Sequence, residues 1–126
     1  MMYLIVDSAS LHNPTILNEF EQVKVVVSHE PNSEVSKYHY NFLLQIEEID
    51  RKLFFSKIQE SMMDGWYFFG WTDNQIWITF NNNIFEMNFN DWAKSNIYLQ
   101  AQQFGRETGI TEEYLDFKKY FEKARG

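Results

Sequence analysis

Residues 66–89 read WYFFGWTDNQIWITFNNNIFEMNF and predict a three-stranded antiparallel meander. Polar pairs interrupt the aromatic and β-branched runs at 73–74 (Asp-Asn) and at 82–83 (Asn-Asn). Asn and Asp tolerate the backbone angles of tight two-residue hairpin loops, so we place a loop at each pair. The first loop makes Trp71 face Ile76 across the hairpin.

The second predicted loop makes Phe80 face Phe85, and the resulting register sorts the meander onto two sheet faces. The first face is wholly apolar or aromatic: Tyr67, Phe69, Trp71, Ile76, Ile78, Phe80, Phe85, Met87 and Phe89. The second face mixes large apolar residues with polar ones: Trp66, Phe68, Gly70, Trp77, Thr79, Ile84, Glu86 and Asn88. That second face is too apolar for full exposure and too polar for an ordinary core. It therefore needs either a covering helix or a partner.

The rest of the chain supplies further strands and about four helices. Apolar or alternating runs predict strands at 2–6, 23–27 and 38–47. Capping residues and apolar stripes predict helices at 14–22, at 50–63, from 90 or 91 to about 105, and from 111 to 125. An α+β fold follows, in which an antiparallel sheet with the meander is packed by about four helices. At 126 residues the chain suits a single domain over 1–126.

Charge and composition limit the classes of partner. The chain carries 18 acidic and 11 basic residues, for a formal charge of −7. This balance disfavours nucleic acid and anionic membrane and fits a basic protein or a cation. There is no Cys, the N-terminus lacks a basic region before Asp7, and no apolar run is long enough to span a bilayer. We therefore expect a cytoplasmic protein.

No group of residues is arranged for catalysis. The three histidines, His12, His29 and His39, lack the spacing of a shared metal site. His39 falls on the polar face of the predicted strand 38–47, so we expect it at the surface. The acidic group at 47–50 lies at a strand-to-helix junction, where a capping role explains it. No phosphate-binding glycine motif occurs. We predict a protein that is not an enzyme and that holds no cofactor and no metal ion.

The second face of the meander remains as the candidate contact surface. One alternative is that a helix, such as the one predicted at 50–63, or the N-terminal segment covers it. The other is a partner-binding surface with Trp66, Trp77 and Glu86 as contact residues and Asp73 at its rim, because Trp anchors ringed by polar groups are typical of binding hot spots.

In size, acidity and aromatic content the chain resembles bacterial toxin-immunity proteins. The resemblance is one of whole-chain character and rests on no motif. It implies a protein that binds and neutralises a cognate toxin domain, often a basic nuclease. The charge of −7 would then speed the encounter, and the Trp anchors would slow dissociation.

Two further functions stay open. The first is a small-ligand-binding protein or an enzyme with a pocket between the sheet and the helices. It requires one of Asp64, Asp73, His39 or Glu47 to lie inside a cleft. The second is a homodimer or a phage or accessory assembly protein that pairs through the same apolar face.

Overall fold

One six-stranded antiparallel sheet organises the protein, whose computed structural model describes residues 1–126. The strands are β1 (Met2–Asp7), β2 (Glu21–His29), β3 (Tyr38–Ile46), β4 (Tyr67–Trp71), β5 (Gln75–Phe80) and β6 (Asn83–Asn88). They lie in the order β2-β3-β1-β4-β5-β6. The two N-terminal hairpin partners, β2 and β3, therefore occupy one side of β1, and the meander occupies the other.

Three α-helices cover the sheet: α1 (Arg51–Ser61), α2 (Asn96–Glu107) and α3 (Phe117–Arg125). Short 3-10 segments lie at Ser8–Ser10, Pro14–Glu19, Glu48–Asp50, Trp92–Lys94 and Glu112–Leu115. The α+β prediction is confirmed. The helix predicted at 14–22 is the 3-10 segment from Pro14, for which Asn13 supplies the cap by accepting the Thr15 N–H at 3.3 Å.

Two predicted helix starts are wrong by several residues. Ser95, not residue 90 or 91, caps α2 by accepting the Tyr98 N–H at 3.1 Å. Asp91 has a left-handed backbone (φ 55°) and precedes a separate 3-10 turn. Asp116 caps α3 by accepting the Lys119 N–H at 3.4 Å, whereas Thr111 only precedes another 3-10 turn. Each true cap follows a 3-10 turn that resembles a helix start in sequence.

The meander has the predicted faces with one change of register. The first hairpin pairs Trp71 with Ile76 as predicted. The second hairpin turns at 81–82 rather than 82–83, so that Phe85 pairs with Ile78 instead of Phe80. This shift moves the pairing by two residues, and side chains alternate with period two along a strand. Every residue within β4, β5 and β6 therefore keeps its predicted face.

The two faces support two separate cores. On the first face, the meander and the odd-numbered residues of β1 and β3 pack against α2 and α3. On the second face, the even-numbered residues of β1, β3 and β4 pack against α1 and the N-terminal 3-10 segments. The helix predicted at 50–63 buries Phe55 and Ile58, while Phe54 is only half-buried.

Helix α1 covers the second face of the meander. The ring of Phe55 meets Phe68 and Trp77 edge-on, at centroid distances of 5.2 and 6.1 Å. Phe55 also covers Gly70, where an added Cβ would lie 2.7 Å from the Cζ atom of Phe55. Leu4 and Met2 supply the other atoms nearest to that position. Trp77 is only 6% exposed. Of the two alternatives for this face, covering by a helix is the one observed.

An uncovered apolar surface lies elsewhere on the same side of the sheet. Val25 and Val27 of β2 stand beside Tyr38 and Tyr40 of β3, and these four residues are 44% to 54% exposed. The helix α1 covers the other end of β3 and leaves this end open. Strand β2 is also an edge of the sheet. We call these four residues the edge surface.

A candidate ligand-binding cavity

A cavity of about 260 Å³ lies on the first sheet face, between β1, β3, β4 and the C-terminal helix α3. Its sheet wall consists of Ile5, Asp7, His39, Asn41, Tyr67 and Phe69. Trp66, Ile110, Tyr114, Tyr120 and Ala124 supply other walls. Exposed residues mark its opening to solvent: Asn32, Glu34, Val35, Gly109 and Thr111. The volume falls just below the roughly 300–1,000 Å³ that is common for drug-sized ligands.

A buried pair of titratable groups, Asp7 and His39, stands in the sheet wall. Asp7 is the last residue of β1 and pairs with Asn41 of β3, so His39 follows on the same face. Asp7 Oδ2 and His39 Nδ1 lie 2.6 Å apart, without the alignment of a hydrogen bond, and neither atom has another hydrogen-bond partner. The other oxygen of Asp7 accepts the Ala9 N–H at 2.9 Å. Burial raises the pKa of Asp7, and the Ala9 N–H and His39 offset part of that effect.

The second ring nitrogen of His39 anchors the loop that follows β2. His39 Nε2 lies 3.0 Å from Ser33 Oγ and 3.1 Å from the Ser36 carbonyl oxygen. A carbonyl can only accept, so Nε2 carries a hydrogen in this arrangement. His39 therefore contacts Asp7 through Nδ1 and the loop through Nε2.

The order Asp7, His39, Ser33 resembles a hydrolytic triad in connectivity but not in chemistry. A triad needs Nε2 to accept the serine proton. Here the Nε2 hydrogen already points at acceptors, and Ser33 Oγ itself accepts the N–H groups of Val35 and Ser36 at 3.3 and 3.4 Å. The arrangement therefore orders the loop and leaves the serine without a base.

A second buried carboxylate, that of Glu30, lies at the base of the loop that borders the cavity. Glu30 is almost fully buried, and Lys123 of α3 donates to both of its oxygens, at 2.6 and 3.0 Å. Lys123 also donates to the carbonyl oxygen of His29 at 2.9 Å. The Glu30 N–H donates to the Lys37 carbonyl at 2.7 Å and closes the loop at its base. The pair thus ties α3 to the loop at the cavity opening.

Three tyrosines line the cavity: Tyr67 belongs to its sheet wall, and Tyr114 and Tyr120 belong to its other walls. Tyr67 donates its hydroxyl to the Tyr114 carbonyl at 2.6 Å. Burial raises the pKa of Tyr67, Tyr114 and Tyr120. The charges of Asp7 and Glu30 raise the pKa of Tyr114 and Tyr120 further. The hydroxyl of Tyr114 is enclosed and has no hydrogen-bond partner, although its ring is only half-buried.

Of the four residues predicted to bind a partner, only Trp77 and Glu86 come together. Trp66 is half-buried and lines the cavity, 5.9 Å from the His39 ring. Trp77 lies beneath α1, and its Nε1 donates to Glu86 at 2.6 Å. Glu86 itself is exposed on β6, and Asp73 is exposed at the tip of the first hairpin. The alternative in which Trp77 is exposed to a partner is not the one observed, because α1 packs its apolar side against this sheet face.

Of the residues named for a cleft, only His39 lies in one. Asp64, Asp73 and Glu47 are exposed. The expectation that His39 lies at the surface is wrong, since it is only 3% exposed. Its strand face is polar, but α3 and the loops cover it. The signal in the sequence was Asp7, a polar residue at the end of the otherwise apolar strand β1.

No three carboxylate or imidazole groups lie close enough to share a metal ion. No helix is long and apolar enough to cross a membrane. No protein-family model, curated protein or solved structure matches the chain.

Proposed function

We propose that this protein is a non-catalytic binding protein that holds a small molecule in the cavity between the sheet and α3. The observation that carries the proposal is the cavity of about 260 Å³, whose lining combines the buried side chains of Asp7 and His39 with the aromatic rings of Trp66 and Tyr120. Concave sites lined by aromatic side chains and a few polar groups are the usual places for small-molecule binding.

A pair of variants tests this proposal because one changes the cavity and the other does not. Ala124→Leu places a larger side chain in the cavity lining, so ligand affinity should fall. Tyr98→Phe removes a hydroxyl that accepts the Lys118 N–H at 2.9 Å outside the cavity. It should lose about 1 kcal/mol of stability and keep ligand affinity.

The experiment is a screen of small fragments by two-dimensional amide NMR, followed by titration of each hit into both variants. Shifts at Gly65, Gly109 and Thr111, which line the cavity, would support the proposal. A screen with no cavity shifts, or hits that bind Ala124→Leu as tightly as wild type, would count against it.

A second candidate function is neutralisation of a basic toxin domain, as the resemblance to immunity proteins implies. The edge surface favours it, because two Val and two Tyr are exposed on β2 and β3, and the outer edge of β2 pairs with no other strand. The charge of −7 would attract a basic partner. Asp73 and Glu86 are exposed and could also contact such a partner, whereas Trp77 could not without displacing α1.

The test uses the product of an adjacent gene as the partner. Loss of the complex in Tyr40→Ser, with retention in Glu86→Gln, would assign the contact to the edge surface. The reverse would assign it to the meander. Retention in both variants would refute the candidate at either place. A concentration-dependent dimer in light scattering, abolished by Tyr40→Ser, would favour self-association through the edge surface instead.

A further inference from the structure

The titratable groups buried around the cavity are already paired within the chain. Asp7 Oδ2 lies 2.6 Å from His39 Nδ1, and Lys123 donates to both oxygens of Glu30. Asp7, His39 and Glu30 are all nearly inaccessible to solvent. The remaining charged residue in the lining is Glu34, which is exposed at the opening. A charged ligand inside the cavity would therefore find no free counter-charge there.

Desolvation then decides which ligands the cavity can hold. Binding in a concave site removes most of the water around a ligand. An ion that loses this water without gaining a partner of opposite charge incurs a large penalty, whereas an uncharged molecule does not. The penalty applies to anions as well as cations, because no Lys or Arg lines the cavity. The site therefore disfavours ligands of either charge.

The walls that keep some accessible surface are mainly aromatic and aliphatic. Trp66, Tyr114 and Tyr120 line the cavity and are only half-buried. The rings of Tyr114 and Tyr120 meet edge-on, with their centroids 5.9 Å apart. Ile110 and Val35 add aliphatic surface to the lining. Because aromatic rings pack favourably against one another in offset and edge-on arrangements, this lining suits a ligand that is itself a ring.

The accessible polar atoms of the lining are uncharged, apart from Glu34. The Tyr120 hydroxyl has no hydrogen-bond partner in the chain and, unlike the Tyr114 hydroxyl, is not enclosed. Asn32 and Thr111 present an amide and a hydroxyl at the opening, where both residues are exposed. A phenol, an amide and an alcohol can each donate a hydrogen bond to an uncharged acceptor. A ligand with a hydroxyl or carbonyl group would match them.

We propose that the ligand of this cavity is an uncharged aromatic molecule of one or two rings that carries a hydroxyl or carbonyl group. Its ring packs against the rings of Trp66 and Tyr120. The inference rests on the proposed function, since it names the class of ligand for the same cavity. The size agrees, because the cavity of about 260 Å³ exceeds the roughly 150 Å³ of an engineered apolar cavity that holds benzene.

Four compounds of similar size test charge and aromaticity on the wild-type protein: benzyl alcohol, benzylamine, benzoate and cyclohexylmethanol. Amide NMR titration measures each affinity at neutral pH, where benzylamine is a cation and benzoate an anion. Benzyl alcohol should bind at least about tenfold tighter than either ion, because the ions lose water without gaining a counter-charge. It should bind about threefold tighter than cyclohexylmethanol, because the aromatic lining favours an aromatic ring.

Trp66→Leu and Tyr38→Leu form a matched pair of variants. Trp66 lines the cavity, whereas Tyr38 is exposed on the opposite face of the sheet from His39. Trp66→Leu should lower the affinity for benzyl alcohol by about threefold to tenfold, and Tyr38→Leu should leave it unchanged. Equal effects of the two variants would contradict the aromatic contact. The comparison of compounds uses the wild-type chain, so it holds even if Trp66→Leu folds poorly.

The outcomes separate this inference from the proposed function. If benzylamine, benzoate or cyclohexylmethanol binds in the cavity as tightly as benzyl alcohol, the inference is wrong and the cavity remains a ligand site. If none of the four compounds shifts the cavity resonances, the wider fragment screen decides. Uncharged aromatic hits in the cavity support the inference, and charged or non-aromatic hits overturn it while the proposed function stands. If that screen yields no cavity hit, both are wrong.

Discussion

Lys123→Met should destabilise the protein far more than Lys57→Met, although the two lysines make ion pairs of similar length. Lys123 lies 2.6 Å from Glu30, and Lys57 lies 2.8 Å from Glu19. The carboxylates differ: the Glu30 side chain is 4% exposed, whereas that of Glu19 is 52% exposed. Removing Lys123 therefore leaves an unpaired carboxylate that is buried, whereas removing Lys57 leaves one that is in water.

The magnitude follows from burial. Leaving an uncompensated buried charge costs about 3–5 kcal/mol. Lys123 is itself 44% exposed, so solvent already screens part of the pair, and we expect a loss of about 2–3 kcal/mol. For a chain of 126 residues each kcal/mol lowers Tm by roughly 4 °C, which gives a drop of about 8–12 °C. Lys57→Met should cost at most about 1 kcal/mol.

Differential scanning calorimetry and urea unfolding at neutral pH measure both variants. Adding Glu30→Gln to Lys123→Met should restore most of the loss, because an amide no longer carries an unpaired charge. Equal small effects of Lys123→Met and Lys57→Met, or a double variant as unstable as Lys123→Met alone, would refute the reasoning.

Phe55→Ala should lower the free energy of unfolding by about 3–5 kcal/mol and red-shift the fluorescence of Trp77. Leu53→Ala, on the exposed side of α1, should lower the free energy of unfolding by about 0.5 kcal/mol or less. Similar losses in both variants would show that α1 does not cover the second face. Burial raises the pKa of the Asp7 carboxyl, which Asp7→Asn removes. The stability of wild type relative to the variant should therefore fall as the pH rises from 3.8 through the raised pKa. Urea denaturation of both proteins across this range measures that stability difference, and a difference that grew with pH would contradict the prediction. Tyr120→Phe should leave the tyrosinate absorbance of the folded protein unchanged at about pH 11, because burial raises the Tyr120 pKa. An absorbance lower by one tyrosinate in the variant would contradict this raised pKa.

The faces of the meander could be predicted because they depend only on local alternation. The exact turn could not, because three consecutive Asn residues allow two-residue loops at 81–82 or 82–83. The observed register places Trp77 opposite Glu86, and their side chains form a hydrogen bond of 2.6 Å. Such a cross-strand contact selects between turns that the loop residues alone leave equivalent.

The cavity could not be predicted for a different reason: its groups are distant in sequence. Asp7 and His39 meet only because β1 pairs with β3, and Tyr120 joins them only because α3 crosses that end of the sheet. In most antiparallel sheets, a polar strand face is exposed to solvent. Here a strongly amphipathic helix at the end of the chain covers it, so the polar residues became buried.

Burial of these polar groups is itself an argument for a ligand. Asp7, His39, Glu30 and Asn41 are all nearly inaccessible, in one corner of a core otherwise built from aromatic and aliphatic residues. Apolar residues of similar volume would generally be as stable there or more so, since paired buried charges rarely repay their desolvation. The Tyr114 hydroxyl also has no hydrogen-bond partner, and its residue lines the same cavity. Buried polar groups that stability does not require are typical of functional sites, so this corner supports the proposal that the cavity binds a ligand.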